Sequence, residues 1–215
     1  MTSEVVENEF EFYSKAEKYW KDVPATVDGM LGGYGHISSI DINSSRKFLQ
    51  RFLRDGPNRT GTTRALDCGA GMAKVGGWMK LDSTRGTQVG HPQAKAFTCK
   101  WLPGGEGIPT AASVPSPGHP LSPNPCSAPP GHLTDNHLSD FLKRCRAGLR
   151  PNGIVVIKDN MAQEGVIMDD VDSSVCRDLA AVRRIIRRAG LHLLAEERQE
   201  NFPDEIYHVY ALAMR

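Results

Sequence analysis

The sequence predicts an α/β fold in which helices cover a central sheet. The apolar run that ends at Leu66 leads into a glycine-containing turn, as a strand followed by a tight turn does. The continuous apolar, β-branched run 154–157 is typical of a strand buried on both faces, as in a parallel sheet covered by helices. With 215 residues, 40% of them hydrophobic, the chain predicts a single domain over 1–215.

Four amphipathic helices are predicted from the spacing of apolar residues. They cover residues 8–21, 44–53, 134–145 and 173–189. The expected N-caps are Ser44 or Ser45, Thr134, and Ser173 or Ser174, and Gly190 is expected to end the last helix. The glycine-rich segment 28–39 predicts a loop that either approaches a ligand or only connects two elements. The segments 191–195 and 207–214 predict two C-terminal strands.

Composition and charge exclude several classes of protein. A formal net charge of +1 gives no support for binding nucleic acid or membranes by bulk electrostatics. No apolar run reaches the roughly 20 residues that a membrane-spanning helix needs. The acidic N-terminus lacks the apolar stretch of a secretory signal, so we expect the five cysteines in a reducing compartment. Three of them are expected to be buried, inert thiols rather than metal ligands: Cys68, Cys145 and Cys176.

The segment 64–71 joins the first strand to an Asp-x-Gly-x-Gly turn. Gly69 and Gly71 stand where a side chain would block the approach of a nucleotide to the backbone. Asp67 can accept hydrogen bonds or face a positive charge on a cofactor. Dinucleotide-binding folds share such turns, but their third glycine is replaced here by Lys74, which makes a nicotinamide-dependent dehydrogenase the weaker alternative.

Four motifs identify a family. They are Met-Leu-Gly-Gly-Tyr-Gly-His at 30–36, Leu-Asp-Cys-Gly-Ala-Gly at 66–71, Lys-Asp-Asn-Met-Ala at 158–162 and Asp-Asp-Val-Asp-Ser-Ser at 169–174. With them, residues 1–72 and 131–215 resemble the protein N-terminal (α-amine) methyltransferases that act on chains beginning Xaa-Pro-Lys. The resemblance implies a class I, Rossmann-like methyltransferase sheet with an antiparallel C-terminal hairpin and an N-terminal helical lid. It also implies S-adenosylmethionine as cofactor, Xaa-Pro-Lys proteins as partners, and a location in nucleus and cytoplasm.

The resemblance assigns roles to individual residues. Asp172 and His132 would take or relay the proton of the substrate's α-amine, and Asn160 would orient the substrate backbone. Leu31 and Ile206 would line the slot for the second-position proline.

Further residues would hold the basic third residue of the substrate and the cofactor. Asp169 and Ser174, together with Asp172, would form an acidic mouth for the substrate's lysine. The cofactor residues implied are Asp67, Gly69, Gly71, Lys74, Trp20 and Met30. Lys74 replaces an arginine of the family and cannot form its bidentate fork. The acidic residue that would hold the ribose hydroxyls has no counterpart in the chain.

The segment 73–130 departs from the family pattern. It contains ten of the fourteen prolines and only two acidic residues, so we expect a loop or a poorly ordered replacement segment that disrupts the sheet. Its one strand candidate is 95–101. The prolines before Gly131 cannot donate to a central ladder, although a strand next to 154–157 should lie there. Alternative splicing or an erroneous gene model would explain the abrupt boundaries.

Other interpretations stay open. The acidic residues of 169–172 can be solvated charges, His132 a loop residue, Asn160 a turn residue and Trp20 a core aromatic. For the whole chain, a form that binds N-terminal peptides or pairs with a related subunit, without methyl transfer, is the alternative to an active enzyme.

Overall fold

A computed structural model describes residues 5–24, 26–54, 56–60, 96–99 and 130–215. Its helices are α1 (Glu9–Asp22), α2 (Val27–Met30), α3 (Ser38–Leu53), α4 (Asp135–Gly148) and α5 (Leu179–Arg188), with short 3-10 turns at Gly35–Ile37 and Pro130–His132. Its strands are β1 (Ala96–Cys99), β2 (Val155–Ala162), β3 (Val166–Asp169), β4 (Ser174–Asp178), β5 (Leu193–Arg198) and β6 (His208–Met214). No helix among these is both long and apolar enough to cross a membrane.

The six described strands form one mixed sheet around β2. One edge of β2 pairs antiparallel with β6 from Val155 to Met161. Its other edge is shared by β1, which is antiparallel at the start of β2, and β4, which is parallel at its end. The expected C-terminal hairpin is confirmed as β5 and β6. Antiparallel β6 is thus the expected partner of β2, and β4 is parallel to β2, whereas β1 is antiparallel where the sequence predicted a parallel sheet.

The strand candidate inside the atypical segment is confirmed over the four residues of β1. It pairs Ala96 with Ile157 and Phe97 with Val156. The edge of β2 that we expected to lose its neighbour thus has an antiparallel one over these positions. The strand expected before Leu66 and the rest of the segment lie outside the described residues.

Alternation along β2 divides the core into two layers. Val155, Ile157 and Met161 face a cluster with α4 and α5, whereas Ile154 and Val156 face a cluster with Phe48 and Leu49 of α3. Side chains two residues apart share a face of a strand. Lys158 and Asn160 therefore project on the α3 side, where the candidate site lies.

Two expected helix starts are wrong. Helix α3 begins at Ser38, so Ser44 and Ser45 lie inside it, where their hydroxyls meet the Lys158 ammonium. Helix α5 begins at Leu179 and is capped by Asp178, whose Oδ1 accepts from Ala181 N at 2.6 Å. Ser173 instead lies in the turn of the β3–β4 hairpin, and Ser174 begins β4. The apolar spacing did not indicate this hairpin.

Other local expectations are confirmed. Helix α1 matches its predicted range and Thr134 caps α4 by accepting from His137 N. Gly190, with φ of 74°, follows the end of α5 in the left-handed region. Cys145 is buried, but Cys176 is only partly buried. Cys68 lies outside the described residues.

Candidate active site

A cleft of about 350 Å³ opens on the α3 side of the sheet. It lies between the end of α1, the glycine-rich segment, the end of β2 and the β5–β6 connection. Five of the residues that the sequence singled out line it: Trp20, Leu31, Asn160, Asp172 and Ile206. Since they come from five separate parts of the chain, the fold brings together groups that the sequence could only name one by one.

The Asp172 carboxylate is the most unusual group in the cleft. Its side chain is 17% exposed, and Oδ2 lies 3.8 Å from His132 Nε2. Its other oxygen, Oδ1, is buried and has no hydrogen-bond partner. A buried carboxylate oxygen without a donor is costly, because it has lost water and gained nothing in exchange. The site is thus suited to a ligand that carries N–H donors or a positive charge.

The turn before β4 aims this carboxylate. Ser173 adopts a φ of 54°, a left-handed conformation that costs a non-glycine residue about 1 kcal/mol. Its buried hydroxyl donates to the Phe12 carbonyl at 2.9 Å, which ties the turn to α1. The hydrogen bond to Phe12 therefore helps to offset the strain at Ser173, and the fixed turn keeps the neighbouring Asp172 in the cleft.

His132 is buried beside Asp172 and is held on both ring nitrogens. The Trp20 indole donates to Nε2 at 3.0 Å, and Nδ1 lies 3.2 Å from the Ser173 carbonyl. An indole N–H can only donate and a carbonyl can only accept. The contacts therefore select the neutral imidazole with its proton on Nδ1. In this arrangement Nε2 is engaged by Trp20, and the Asp172 carboxylate is the neighbouring acceptor that lines the cleft.

Several cleft residues were not predicted as site residues. The lining also contains the carboxylates of Asp41 and Glu205, the Lys158 ammonium, and the aromatic side chains of Tyr19, Tyr34, Phe202 and Tyr207. Three carboxylates in the lining against one ammonium favour a cationic ligand. Aromatic faces also attract cations. Glu205 and Tyr207 flank the predicted Ile206 in the sequence. This adjacency is the sequence feature that could have indicated them as cleft residues.

Lys158 lies at the base of the cleft in a cluster of oxygen atoms. The ammonium forms an ion pair with Asp41 and donates to Ser45 Oγ at 3.0 Å and Gln199 Oε1 at 2.6 Å. Burial lowers the pKa of Lys158, while the charge of Asp41 opposes that shift. The cluster joins α3 to β2 and to the segment after β5, so it stabilises one wall of the cleft.

The remaining predicted residues are placed as follows. Asp169 and Ser174 face each other in the β3–β4 hairpin, whose turn carries Asp172, but neither belongs to the cleft lining. Asp169 is exposed and accepts from Val171 N at 2.9 Å. Met30 is the last residue of α2, and its side chain is not among those that the structure describes. The cofactor residues Asp67, Gly69, Gly71 and Lys74 also lie outside the described residues. Their roles stay predictions.

The glycine-rich segment contributes backbone to the cleft through Gly29 and Gly32. A Cβ on Gly29 would lie 2.3 Å from the Pro24 carbonyl oxygen. Gly32 has a φ of 59°, which disfavours other residues. The interpretation of this segment as a loop near a ligand stays a prediction that its position in the lining supports.

Helix α1 contacts the segment that carries His132 through polar groups. The Tyr13 hydroxyl lies 2.5 Å from His137 Nδ1, and Thr134 Oγ1 donates to Glu9 at 3.2 Å. Burial raises the pKa of the Tyr13 phenol, and its hydrogen bond with Thr134 opposes the shift. The helix thus covers one side of the site, as expected of the N-terminal lid.

Tyr13 should make stability fall at alkaline pH. Because its folded-state pKa is above the ordinary value of 10.0 for a tyrosine phenol, the unfolded phenol ionises first, and the contribution of Tyr13 is lost as pH rises through the folded pKa. We expect the free energy of unfolding of wild type to fall more steeply above pH 10.0 than that of Tyr13→Phe in urea titrations. The exposed Tyr207→Phe variant should follow wild type. Parallel curves for wild type and Tyr13→Phe would contradict the assignment.

Comparison with known proteins identifies the family. A family model described as AdoMet-dependent proline di-methyltransferase matches residues 8–97 and 128–215. The chain belongs to this methyltransferase family. The match runs beyond residue 73, so apart from residues 1–7 the part that the family model leaves unmatched is 98–127, inside the atypical segment.

Individual relatives agree with the family. The chain is 60% identical to the N-terminal Xaa-Pro-Lys N-methyltransferase 1 of Rattus norvegicus and to that of Homo sapiens, with all of both chains covered in each case. It is 55% identical to the Xenopus tropicalis protein of the same name, again over both full chains. A solved structure of a SAM-dependent methyltransferase from Leishmania major matches with a TM-score of 0.66 and 27% identity, covering 99% of this chain and 88% of that one. The expected family and the class I methyltransferase fold are confirmed.

Proposed function

We propose that the protein transfers methyl groups from S-adenosylmethionine to the α-amine of proteins that begin Xaa-Pro-Lys. Family membership supports the reaction class and the cofactor. The observation that carries the proposal in this chain is the position of Asp172, a carboxylate with one buried, unpartnered oxygen, in the lining of a cleft of about 350 Å³ that also holds acidic and aromatic side chains. Such a cleft suits an ammonium group and a sulfonium group side by side.

When bound, S-adenosylmethionine would supply an activated methyl group: the amine lone pair would form the N–C bond in line as the C–S bond breaks, and the neutral thioether would leave with the bonding electrons. The residues that would hold S-adenosylmethionine are Trp20 and Met30 on the lid side and, in the glycine-containing turn, Asp67, Gly69, Gly71 and Lys74. Of these, Trp20 already lies in the described cleft, beside Tyr19. The aromatic and acidic lining fits a positively charged donor.

The amine must lose a proton before it can attack. An α-amine has an ordinary pKa of about 7.7 to 8.0, so part of it is already neutral near pH 7, and a weak base can assist the loss of the remaining proton. In the proposal, the Asp172 carboxylate accepts the amine N–H and takes its proton. His132 Nε2 can receive that proton only after the Trp20 indole has turned away, because Trp20 donates to that nitrogen. Asp172 is therefore the first acceptor and His132 the second.

The other parts of the substrate meet different walls of the cleft. Leu31 and Ile206 form apolar surfaces that suit the second-position proline, and Asn160 offers an amide to the peptide backbone. Glu205 and Asp172 supply carboxylates for the third-position lysine. Asp169 and Ser174, on the hairpin next to Asp172, would extend this acidic surface outside the cleft.

The test is methylation of a synthetic Xaa-Pro-Lys peptide by the full chain with S-adenosylmethionine. We expect mass spectrometry to locate the added methyl groups on the α-amine. A peptide with an acetylated N-terminus should give no product, and Xaa-Pro-Gln should react more slowly because it lacks the cation. Methylation at the lysine ε-amine alone, or no product from folded protein, would refute the proposal.

A second candidate is a form that binds the peptide or a related methyltransferase without transfer. The unmatched stretch 98–127 favours it, because it interrupts the family match after the cofactor motif. Calorimetry separates the two candidates. Peptide binding without S-adenosylmethionine binding supports the second, and binding of both with product formation supports the first.

We also propose, from the family resemblance, that the protein is located in the nucleus and the cytoplasm. Cell fractionation tests this location.

A further inference from the structure

Arg177 is a buried cation outside the cleft that the proposed chemistry does not use. It lies in β4 and is 3% exposed. Its Nε donates to Asp135 at 2.6 Å, and its two terminal nitrogens donate to the Pro130 carbonyl at 3.2 Å and the Leu133 carbonyl at 2.6 Å. A guanidinium out of water requires such contacts, since an unpaired buried charge is strongly destabilising.

The two carbonyls lie on either side of His132 in the chain. The 3-10 turn Pro130–His132 is only three residues long and contains one backbone hydrogen bond, from Leu133 N to Pro130 O at 3.2 Å. Isolated turns of this length have little stability of their own. The rigid guanidinium of Arg177 binds carbonyls on both sides of His132 and therefore restricts where the His132 backbone can lie.

Strand β4 also orients the imidazole ring from the other side. Ser173, just before β4, accepts the Nδ1 proton of His132, and Asp172 precedes it. Arg177 itself pairs with Met161 in the register of β2, next to Asn160. The segment of β4 and its preceding turn thus carries Arg177, Ser173 and Asp172. These residues support the backbone around His132, accept its Nδ1 proton and place a carboxylate beside its ring.

We propose that Arg177 is a positioning residue that holds the His132 imidazole against Asp172 by binding the carbonyls of Pro130 and Leu133. It does not touch the substrate. The inference rests on the proposed function only for its effect on catalysis, since the orientation of His132 can be measured without substrate or cofactor. Lysine cannot replace Arg177 in this role, because an ammonium lacks the planar fork that reaches two carbonyls and a carboxylate together.

The test compares Arg177→Lys with Arg183→Lys. Arg183 is a matched control, because it is also an arginine paired with a carboxylate, but it lies on the exposed face of α5, where its Nε and one terminal nitrogen donate to Glu196. For Arg177→Lys we expect kcat to fall about 10- to 100-fold, as misplacement by about 1 Å does. The peptide KM should change little, because the cleft walls do not include Arg177. Arg183→Lys should keep wild-type values.

Nitrogen-15 NMR of labelled histidine in the free protein gives the second readout. His132→Gln assigns the resonance. Wild type and Arg183→Lys should show the neutral ring protonated on Nδ1, and Arg177→Lys should show a mixture of ring forms. A wild-type His132 signal together with wild-type kcat in Arg177→Lys would overturn the inference. If the wild type itself transfers no methyl group, the proposed function fails while the NMR comparison still decides the inference.

Asp135→Asn separates positioning from general stabilisation and serves if Arg177→Lys does not fold. It removes the charge partner of Arg177 but leaves both carbonyl bonds. We expect lowered thermal stability with the wild-type His132 signal and nearly wild-type kcat. Loss of the His132 signal in the folded variant would refute the role of the carbonyl contacts.

Discussion

Replacing Asp172 by asparagine is expected to lower kcat for peptide methylation by about 10²- to 10⁴-fold. Asparagine keeps the size of the side chain but can neither take the amine proton nor oppose a positive charge. The buried Oδ1 of Asp172 has no partner, so the loss falls on the reaction rather than on an internal contact. Initial rates across a pH series, with saturating peptide and cofactor, measure the effect.

Asp170→Asn is the control for Asp172→Asn. It removes a carboxylate from the same turn, but one that is exposed. We expect rates close to wild type for this variant. Peptide affinity of Asp172→Asn, measured by calorimetry, should fall less than kcat, because Leu31, Asn160 and Ile206 remain. Equal rates for Asp172→Asn and wild type would remove Asp172 from the reaction.

Replacing Lys158 by methionine is expected to lower the free energy of unfolding by about 3 to 5 kcal/mol. Methionine has a similar length, but the change removes the buried ammonium that pairs with the Asp41 carboxylate and donates to Ser45 and Gln199. Removing one member of a buried ion pair leaves an uncompensated charge, which is why the loss exceeds that of a surface pair. Urea unfolding followed by circular dichroism measures it.

Two variants make the Lys158 result interpretable. Lys143→Met removes an exposed ion pair with Asp140, for which we expect a change within about 1 kcal/mol. The double variant Asp41→Asn, Lys158→Met should recover part of the stability, because no charge is left unpaired. If the single variant is as stable as Lys143→Met, the cluster does not stabilise the wall of the cleft.

Much of the secondary structure follows from local patterns. The run 154–157 and the C-terminal hairpin were predictable because burial on two faces and alternation leave clear apolar patterns. Helix α4 was predictable because Thr134 caps it locally. By contrast, Ser44 and Ser45 looked like caps, but they bind the distant Lys158 ammonium inside α3. A local pattern cannot show that a hydroxyl has a tertiary partner.

The β3–β4 hairpin was missed for a related reason. Its strands are short, with Asp169 opposite Ser174, and its turn depends on the unfavourable φ of Ser173. Local preferences favoured a helix cap at this point. The bond from Ser173 to Phe12, a residue far away in the chain, helps to hold the turn instead.

The sequence by itself determined the family and the reaction class, because these depend on which residue types follow one another in the motifs. Only the tertiary structure decided that Trp20 engages His132 Nε2, that Asp172 Oδ1 is buried without a hydrogen-bond partner, and that Arg177 binds the carbonyls on either side of His132. Hydrogen bonds act over about 3 Å. Their pairing therefore depends on which parts of the chain the packed sheet and helices bring into contact, a property that no local pattern contains.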